Sequence, residues 1–381
     1  MILKKKILIL FPDRHIAFSP TTLGIYDALS QHCDVTIYCP TSKKSDQKFL
    51  DKRQIKYFSY TTKKSRKLKA LPAFLFYKII SFFDKKSAVG KLPIYNFVSF
   101  LELKKQLRYI TDSYDEVIAV DVLFLYAAQS FFTQVNFLSL EIKDVELPLL
   151  QSIKNGFIKS VIIQTTDRYN YLFPDKKYKT FLIQNAPVFT EPSLPINKTT
   201  NALLFNGTGA PWFGIYTCLK FIKLNPTFSL TFKGEIFKPE LDFIKKNYAN
   251  LVESKHINIF SEYIDSNKMI EFMSSFEIGF CFYDLSFPSF NTFNYQTAPS
   301  GKMFAYFAAG VPVIGNNIPG LKAISEFGAG ILIDDFNNET ILKAIEKIQS
   351  NYQFYQENCY KAARHYSFNK SVLPFVTFIS A

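Results

Sequence analysis

An uninterrupted apolar run, Ile7 to Phe11, opens the chain and ends at Pro12, before the polar Asp13-Arg14-His15. A short continuous run of this kind predicts a strand buried on both faces. Ser19-Pro20 then supplies an N-cap residue and a proline for the first helical position. Leu23, Tyr26 and Leu29 follow at helical spacing. Asp34–Cys39 is a second strand-like run, so the opening predicts a βαβ unit and with it a parallel sheet. No GxGxxG occupies the first turn, so the dinucleotide fingerprint is absent. Further strands are predicted at Glu116–Val120, Gln134–Leu140, Ser160–Gln164 and Thr180–Gln184. The stretch 185–200 carries three prolines among polar residues and reads as an interdomain linker, drawn at 191–200. The second half alternates more cleanly, with strands predicted at 202–206, 229–234, 257–262, 277–283, 311–315 and 329–333. The expected fold class is therefore α/β, with domains at 1–190 and 201–365 and a segment 366–381 packing back toward the first.

Length and composition narrow the class. At 381 residues, 48% hydrophobic, with 41 Phe and 22 Tyr, the chain has material for large cores, which excludes disorder as its main state. The five cysteines (Cys33, Cys39, Cys218, Cys281, Cys359) are scattered and form no CxxC pair. That excludes a disulfide scaffold and structural zinc, and suggests a reducing compartment. Lys4-Lys5-Lys6 resembles the start of an export signal, but the apolar run after it is too short for one. The long uncharged stretches 122–140, 199–219 and 303–321 are interrupted by Gly, Pro or polar residues. No spanning helix is expected, and the protein reads as cytoplasmic, soluble or peripheral.

Charge changes the picture for the first half. Residues 1–190 hold 29 Lys and Arg against 16 acidic residues, whereas 191–381 hold 16 of each. The densest part, 63–108, has 12 basic and two acidic residues, interleaved with Phe74, Phe76, Tyr77, Ile79, Ile80, Tyr95, Phe97 and Phe100. No helix-turn-helix, zinc or RNP-like pattern accompanies it and Arg is scarce, so nucleic acid is not the expected partner. An anionic membrane surface met by Lys63, Lys64, Arg66, Lys67 and Lys69 is the favoured reading. A solvated helical face over an aromatic core is the competing one.

Candidate chemistry concentrates in the second half, where 11 of the 14 glycines fall between 207 and 330. Gly207, Gly234 and Gly315 sit at the carboxyl ends of predicted strands, where ligands of open α/β sheets bind. Two segments stand out. In Asn206-Gly207-Thr208-Gly209 a strand runs into a glycine loop and then a helix, which aims backbone N–H groups at an anion. In Pro299-Ser300-Gly301-Lys302-Met303, Lys302 lies in the first turn of a predicted helix, where the helix dipole disfavours a cation unless an anion sits there too. No carboxylate or histidine cluster has metal-ligand spacing, so no metal site is expected. Of the four histidines, His15 alone lies on a loop at a strand's carboxyl end, where a group titrating near neutral pH could accept a proton.

These segments resemble the nucleotide-sugar-binding domain of GT-B glycosyltransferases, especially the large retaining group that includes many bacterial polysaccharide and lipopolysaccharide enzymes. Lys302–Ile314 looks like that family's K-x-x-E-Y-x-A-x-G-x-P-V-I. Tyr263-Ile264-Asp265 with Glu277-Ile278-Gly279, and Gly320 through Gly330-Ile331-Leu332-Ile333, match its flanking segments. The likeness covers 200–370, and the first half by order of elements. It implies two Rossmann-like domains facing across a cleft, no cofactor, and transfer of a hexose-type sugar from a nucleoside-diphosphate-sugar donor. The acceptor would be a glycan or lipid-linked glycan in bacterial surface polysaccharide assembly, at the inner face of the cell membrane. By position, Ser300, Gly301, Lys302 and Met303 would hold the donor diphosphate, with Lys302 also easing its departure. Asn206, Gly207, Thr208 and Gly209 would face the same diphosphate, Lys233 and Gly234 would add charge and close approach, and Tyr263 and Ile264 would meet the base. Thr297, with Ala305, stands where many retaining members carry glutamates eight positions apart. The first domain would supply Asp13 and His15 as catalytic base, and Arg14, Ser19, Asp121 and Glu141 for the acceptor. A silent nucleotide- or sugar-binding partner of a glycan-assembly complex, and a nucleotide-sugar epimerase of the same fold, are the rival readings.

Overall fold

Ile7, Leu8, Ile9 and Leu10 are all fully buried, as a strand covered on both faces requires. In the computed structural model they form β1 (Lys6–Leu10), followed by β2 (Asp34–Pro40), β3 (Tyr57–Tyr60), β4 (Glu116–Val120), β5 (Val135–Leu138), β6 (Ile158–Ile163) and β7 (Lys179–Leu182). The structure describes all residues except 1–3, 13, 14, 41–43, 61–65, 84–87, 192–197, 263, 265, 290 and 291. The side chains of 45, 60, 66–70, 81–83, 266 and 267 also lie outside that description. The seven strands pair in parallel in the order β3-β2-β1-β4-β5-β6-β7. Strand β3 lies in a segment that the apolar pattern left unassigned. It is an edge strand with Phe58 half exposed, so it lacks the continuous run that marks a central one.

The second sheet comprises β8 (Ala202–Asn206), β9 (Ser229–Lys233), β10 (Ile257–Phe260), β11 (Ile278–Cys281), β12 (Val313–Asn316) and β13 (Gly330–Ile333). Its order is β10-β9-β8-β11-β12-β13, again all parallel. Alternation along β8 feeds two cores: Leu203 and Phe205 join one cluster, Ala202 and Leu204 the other. Each sheet reverses its strand order once, between β1 and β4 in the first and between β8 and β11 in the second. Such a reversal opens a crevice at the carboxyl ends of the two strands, where doubly wound folds bind ligands.

Two compact units result: Met1–Gln184 with Ser371–Ala381, and Asn185–Lys370. Most of the helix Phe368–Ser380 belongs to the first. There Phe375 is fully buried with its ring 5.2 Å from that of Phe181, and the Lys5 ammonium donates to the Ile379 carbonyl at 3.2 Å. The described part of 185–200 belongs to the second, where Phe189 N–H donates to Ser367 Oγ at 2.8 Å and the Pro187 carbonyl accepts from Phe368. The basic flank forms two helices, Arg66–Phe83 and Ile94–Leu107.

Candidate functional site

In the second unit the crevice between β8 and β11 holds Lys302. The helix Gly301–Ala308 places this lysine in its first turn, and the ammonium lies 5.0, 4.8 and 5.1 Å from the ring centres of Phe205, Phe213 and Tyr283. Those rings come from β8, from the loop after it, and from the residues after β11. Among the described residues no carboxylate pairs with Lys302 and no hydrogen bond reaches its Nζ. Burial holds its pKa below the ordinary lysine value, only partly offset by the neighbouring Cys281 and Cys218. The other end of the helix shows the usual arrangement: Lys198 donates to the carbonyls of Ala309 and Gly310 at 3.2 and 3.1 Å, where a cation is favoured. Lys302, at the opposite end, is a partly desolvated cation with no carboxylate partner among the described residues.

Tyr306, one turn along the same helix, fixes the crevice walls. Its fully buried hydroxyl accepts from Asn206 N–H at 2.8 Å and donates to the Leu204 carbonyl at 2.9 Å. A Cβ on Gly279 would lie 2.7 Å from the Tyr306 ring, which is why β11 carries glycine there. Asn316 ties the neighbouring strand ends, its Oδ1 accepting from Tyr283 N–H at 2.9 Å.

The glycine loop serves differently from the expectation. Gly207 N–H donates to the Lys233 carbonyl and Gly209 N–H to that of Glu235, both at 2.8 Å, so these two amides prolong the ladder between the segments of β8 and β9. They are not available to a ligand. Gly234, at φ +131°, lets this happen, because a Cβ there would sit 2.3 Å from the Gly207 carbonyl oxygen. Thr208 is half-buried between the two bonded glycines. Lys233 is committed as well: its ammonium donates to the Glu262 carbonyl at 2.7 Å and faces the Phe260 ring.

Around Lys302 the remaining positions divide. Ser300 is the buried N-cap of the helix, and its Oγ accepts from the Cys281 thiol at 3.3 Å rather than capping an amide. Gly301 is held against Asn185, whose Nδ2 would lie 2.7 Å from a Cβ. Met303 points into the core, so only its backbone could face a ligand. Thr297 is buried and its hydroxyl donates to the Phe293 carbonyl at 2.6 Å. Ile264 is half-buried after β10, and Tyr263 lies outside the described residues.

In the first unit the matching crevice is flanked by Asp121, the residue after β4. It takes φ +58°, uncommon for anything but Gly, Asn or Asp, and its Oδ1 accepts from the amides of Leu140 and Glu141 at 2.8 and 3.0 Å. Burial pushes its carboxyl up to about 7, against the pull of those amides and of Lys143. The fully buried Arg168 donates to the Leu140 carbonyl at 3.0 Å and is pushed down to about 10, also by burial. Asp121, proposed for the acceptor, is thus a buried, strained carboxyl, whereas Glu141 is exposed. Asp13 and Arg14 lie outside the described residues. His15 is half exposed with Nδ1 3.9 Å from the buried Asp46 carboxylate, and Ser19 Oγ donates to Thr22 Oγ1 at 2.8 Å. Of the basic flank, Lys63 and Lys64 and the side chains of Arg66, Lys67 and Lys69 lie outside the described residues.

Among the described residues no group of three His, Cys, Asp or Glu could hold a metal ion, all five cysteines are free and buried, and no helix is long and apolar enough to cross a membrane. No known family model matches the sequence, and no curated protein matches it. Solved structures do. The chain superposes on the Anabaena protein HepE in complex with UDP with a TM-score of 0.66, 13% identity, and coverage of 98% of this chain and 99% of that one. The chain has the GT-B fold. The same GT-B architecture relates it to sucrose-phosphate synthase from Thermosynechococcus elongatus (TM-score 0.65, 14% identity, 99% and 98% covered). It also relates it to a glycosyltransferase from Rickettsia africae (0.63, 16%, 99% and 98%). Within the GT-B fold, sequence reasoning missed the three-ring cage, Tyr306 and Arg168; the aromatic signal was present but spread over separate elements.

Proposed function

We propose that the protein is a glycosyltransferase that moves a hexose-type sugar from a nucleoside-diphosphate-sugar to a glycan or lipid-linked acceptor. The observation that carries this is Lys302, an unpaired ammonium in an aromatic cage at a helix N-terminus and at the strand-order reversal of its sheet. A diphosphate is the ligand whose charge that cation and helix end would complement. GT-B neighbours solved with UDP and UDP-glucose support a uridine donor. In the reaction the bond from anomeric carbon to diphosphate breaks as the acceptor oxygen bonds that carbon. Lys302 and the first-turn amides stabilise the charge gathering on the departing diphosphate. The hydroxyl proton goes to a base, in a retaining reaction assisted by the donor phosphate itself. Asp13 and His15 are proposed for this role, with Asp121, Glu141, Arg14 and Ser19 serving the acceptor. The lysine-rich flank suits a place at the inner face of the membrane, in surface polysaccharide assembly.

Thr297, tied to Phe293, and Ala305 offer no carboxylate at the donor sugar. That favours, as second reading, a silent nucleotide-binding partner. Thermal melting with UDP, GDP, CDP, TDP and ADP tests donor binding. A ligand at about 100 times its Kd adds roughly 2.7 kcal/mol. The expected result is a shift with one nucleotide, UDP first, and sugar release from its UDP-sugar when acceptor is added. Binding without turnover selects the silent partner, and no response to any nucleotide overturns the donor site.

A further inference from the structure

The helix Arg66–Phe83 is apolar on two opposite sides. Its inner side is occupied: the rings of Phe74 and Tyr77 each lie 5.4 Å from that of Phe97, a fully buried residue of the helix Ile94–Leu107. Its outer side carries Leu71, Leu75, Phe76 and Ile79, which are 41, 53, 60 and 58% exposed. Positions 71, 75 and 79 recur every fourth residue and make one stripe. A helix on a water-facing surface carries polar residues on its outer side, and a contiguous exposed apolar stripe marks an interaction surface.

The surrounding charge selects the occupant. No acidic residue occurs between 66 and 83. Lys63, Lys64, Arg66, Lys67 and Lys69 precede the stripe in sequence, Lys85 and Lys86 follow it, and Lys78 is exposed within it. Tyr95, 67% exposed at the start of the next helix, adds a ring of the kind that favours membrane interfaces. A protein partner would have to match an apolar stripe whose charged neighbours in the sequence between 63 and 91 are, apart from Asp84, all Lys or Arg. A bilayer with anionic headgroups matches both at once, with headgroups for the ammonium groups and acyl chains for the stripe.

We propose that this outer face is a membrane-docking wedge that lies in the plane of an anionic leaflet and inserts Leu71, Leu75, Phe76 and Ile79 at the headgroup–acyl boundary. The inference rests on the proposed membrane location and adds the apolar contact that holds the protein there. Lysines alone would give a salt-sensitive attachment; the wedge makes part of the attachment resistant to salt.

The test uses the full chain and flotation with vesicles of phosphatidylcholine, with and without phosphatidylglycerol. Wild type is expected on the anionic vesicles only. Leu75→Ser with Phe76→Ser lowers the partition coefficient by about tenfold or more per residue. Both positions are exposed, so the variant's melting temperature stays unchanged and a folding defect is distinguished from a docking one. Because all five native cysteines are buried, Leu75→Cys accepts an environment-sensitive fluorophore selectively, and its emission shifts to the blue on docking. Loss of binding only when the five N-terminal basic residues become Gln, with the serine variant unaffected, leaves the membrane location standing and overturns the wedge. No vesicle binding by wild type overturns both. A wild-type oligomer that the serine substitutions dissolve overturns the wedge alone and assigns the stripe to a second copy of the chain. None of these outcomes depends on nucleotide binding.

Discussion

Replacing Lys302 by Met separates a lysine kept for a ligand from one kept for the fold. In the ligand-free protein the ammonium is partly withdrawn from water without a carboxylate, which costs several kcal/mol for a fully buried ion and less here. The three rings return about 0.5–1 kcal/mol each. The lowered pKa gives the sign of the balance: the unfolded chain binds this proton more tightly than the folded one. The charged lysine therefore costs stability at neutral pH, and that cost fades as pH rises toward the ordinary lysine value. Met keeps the length and fills the cage with an apolar group. We expect Lys302→Met to raise ligand-free stability by about 1 kcal/mol, some 2–4 °C in Tm for a unit of this size. The same change removes a charge-assisted bond to the nucleotide's diphosphate, about 1.5–3 kcal/mol, so affinity falls roughly 10- to 150-fold. Calorimetric melting and nucleotide titration read the two effects on one sample. The wild type has a further signature: its nucleotide affinity declines as pH rises, at a lower pH than an unperturbed lysine would allow, and the variant's does not. A variant that melts well below wild type yet binds nucleotide equally well would refute the reasoning and make Lys302 a structural cation held by its rings.

Asp121→Asn addresses the first unit. A carboxyl raised from 3.8 to about 7 costs stability that grows as pH climbs between those values, up to about 4 kcal/mol. Asn also keeps the two amide bonds and tolerates the φ of +58°. Urea unfolding at about pH 8 should show a gain of a few kcal/mol that vanishes near pH 4; a loss at both pH values would mean that the folded state prefers the ionised form. Gly234→Ala and Gly207→Ala form a matched pair. Both force Ala to positive φ, about 1–3 kcal/mol, but only the first drives a Cβ to 2.3 Å from a backbone oxygen, whereas nothing lies within 4 Å at Gly207. Gly234→Ala should be the more destabilising in chemical denaturation; equal costs would show that the close approach is not what selects glycine.

The parts legible in the sequence were those whose cause is local. The buried run at Ile7–Phe11 announces a central strand because both faces are covered, and β8, inside the second core, was placed at its observed bounds for the same reason. Strand β3 was not legible, since an edge strand with an exposed Phe58 has no such run. Lys302 could be flagged from its conflict with the helix dipole, a matter of one turn of chain. Its cage could not, because Phe205, Phe213 and Tyr283 meet only once the strand order is known. The glycine loop misled for a related reason. A free amide and one bonded to a strand more than twenty residues away look identical in the sequence, and only the pairing with Lys233 and Glu235 tells them apart. The burial of Asp121 was not legible either, since the amides that its carboxylate accepts from lie about twenty residues away, at 140 and 141.

The assignment of Ser371–Ala381 to the first unit has a consequence for synthesis on the ribosome. That unit needs Phe375 and Ile379 to complete its interior, yet residues 185–370 are made in between. At about 5–20 residues per second the wait is roughly 10–40 s. Meanwhile the second unit, one uninterrupted stretch, has every residue that it requires. The usual order of vectorial folding is thereby inverted: the later half can close first, while the earlier half waits with the ground around Phe181 uncovered until the last helix leaves the exit tunnel.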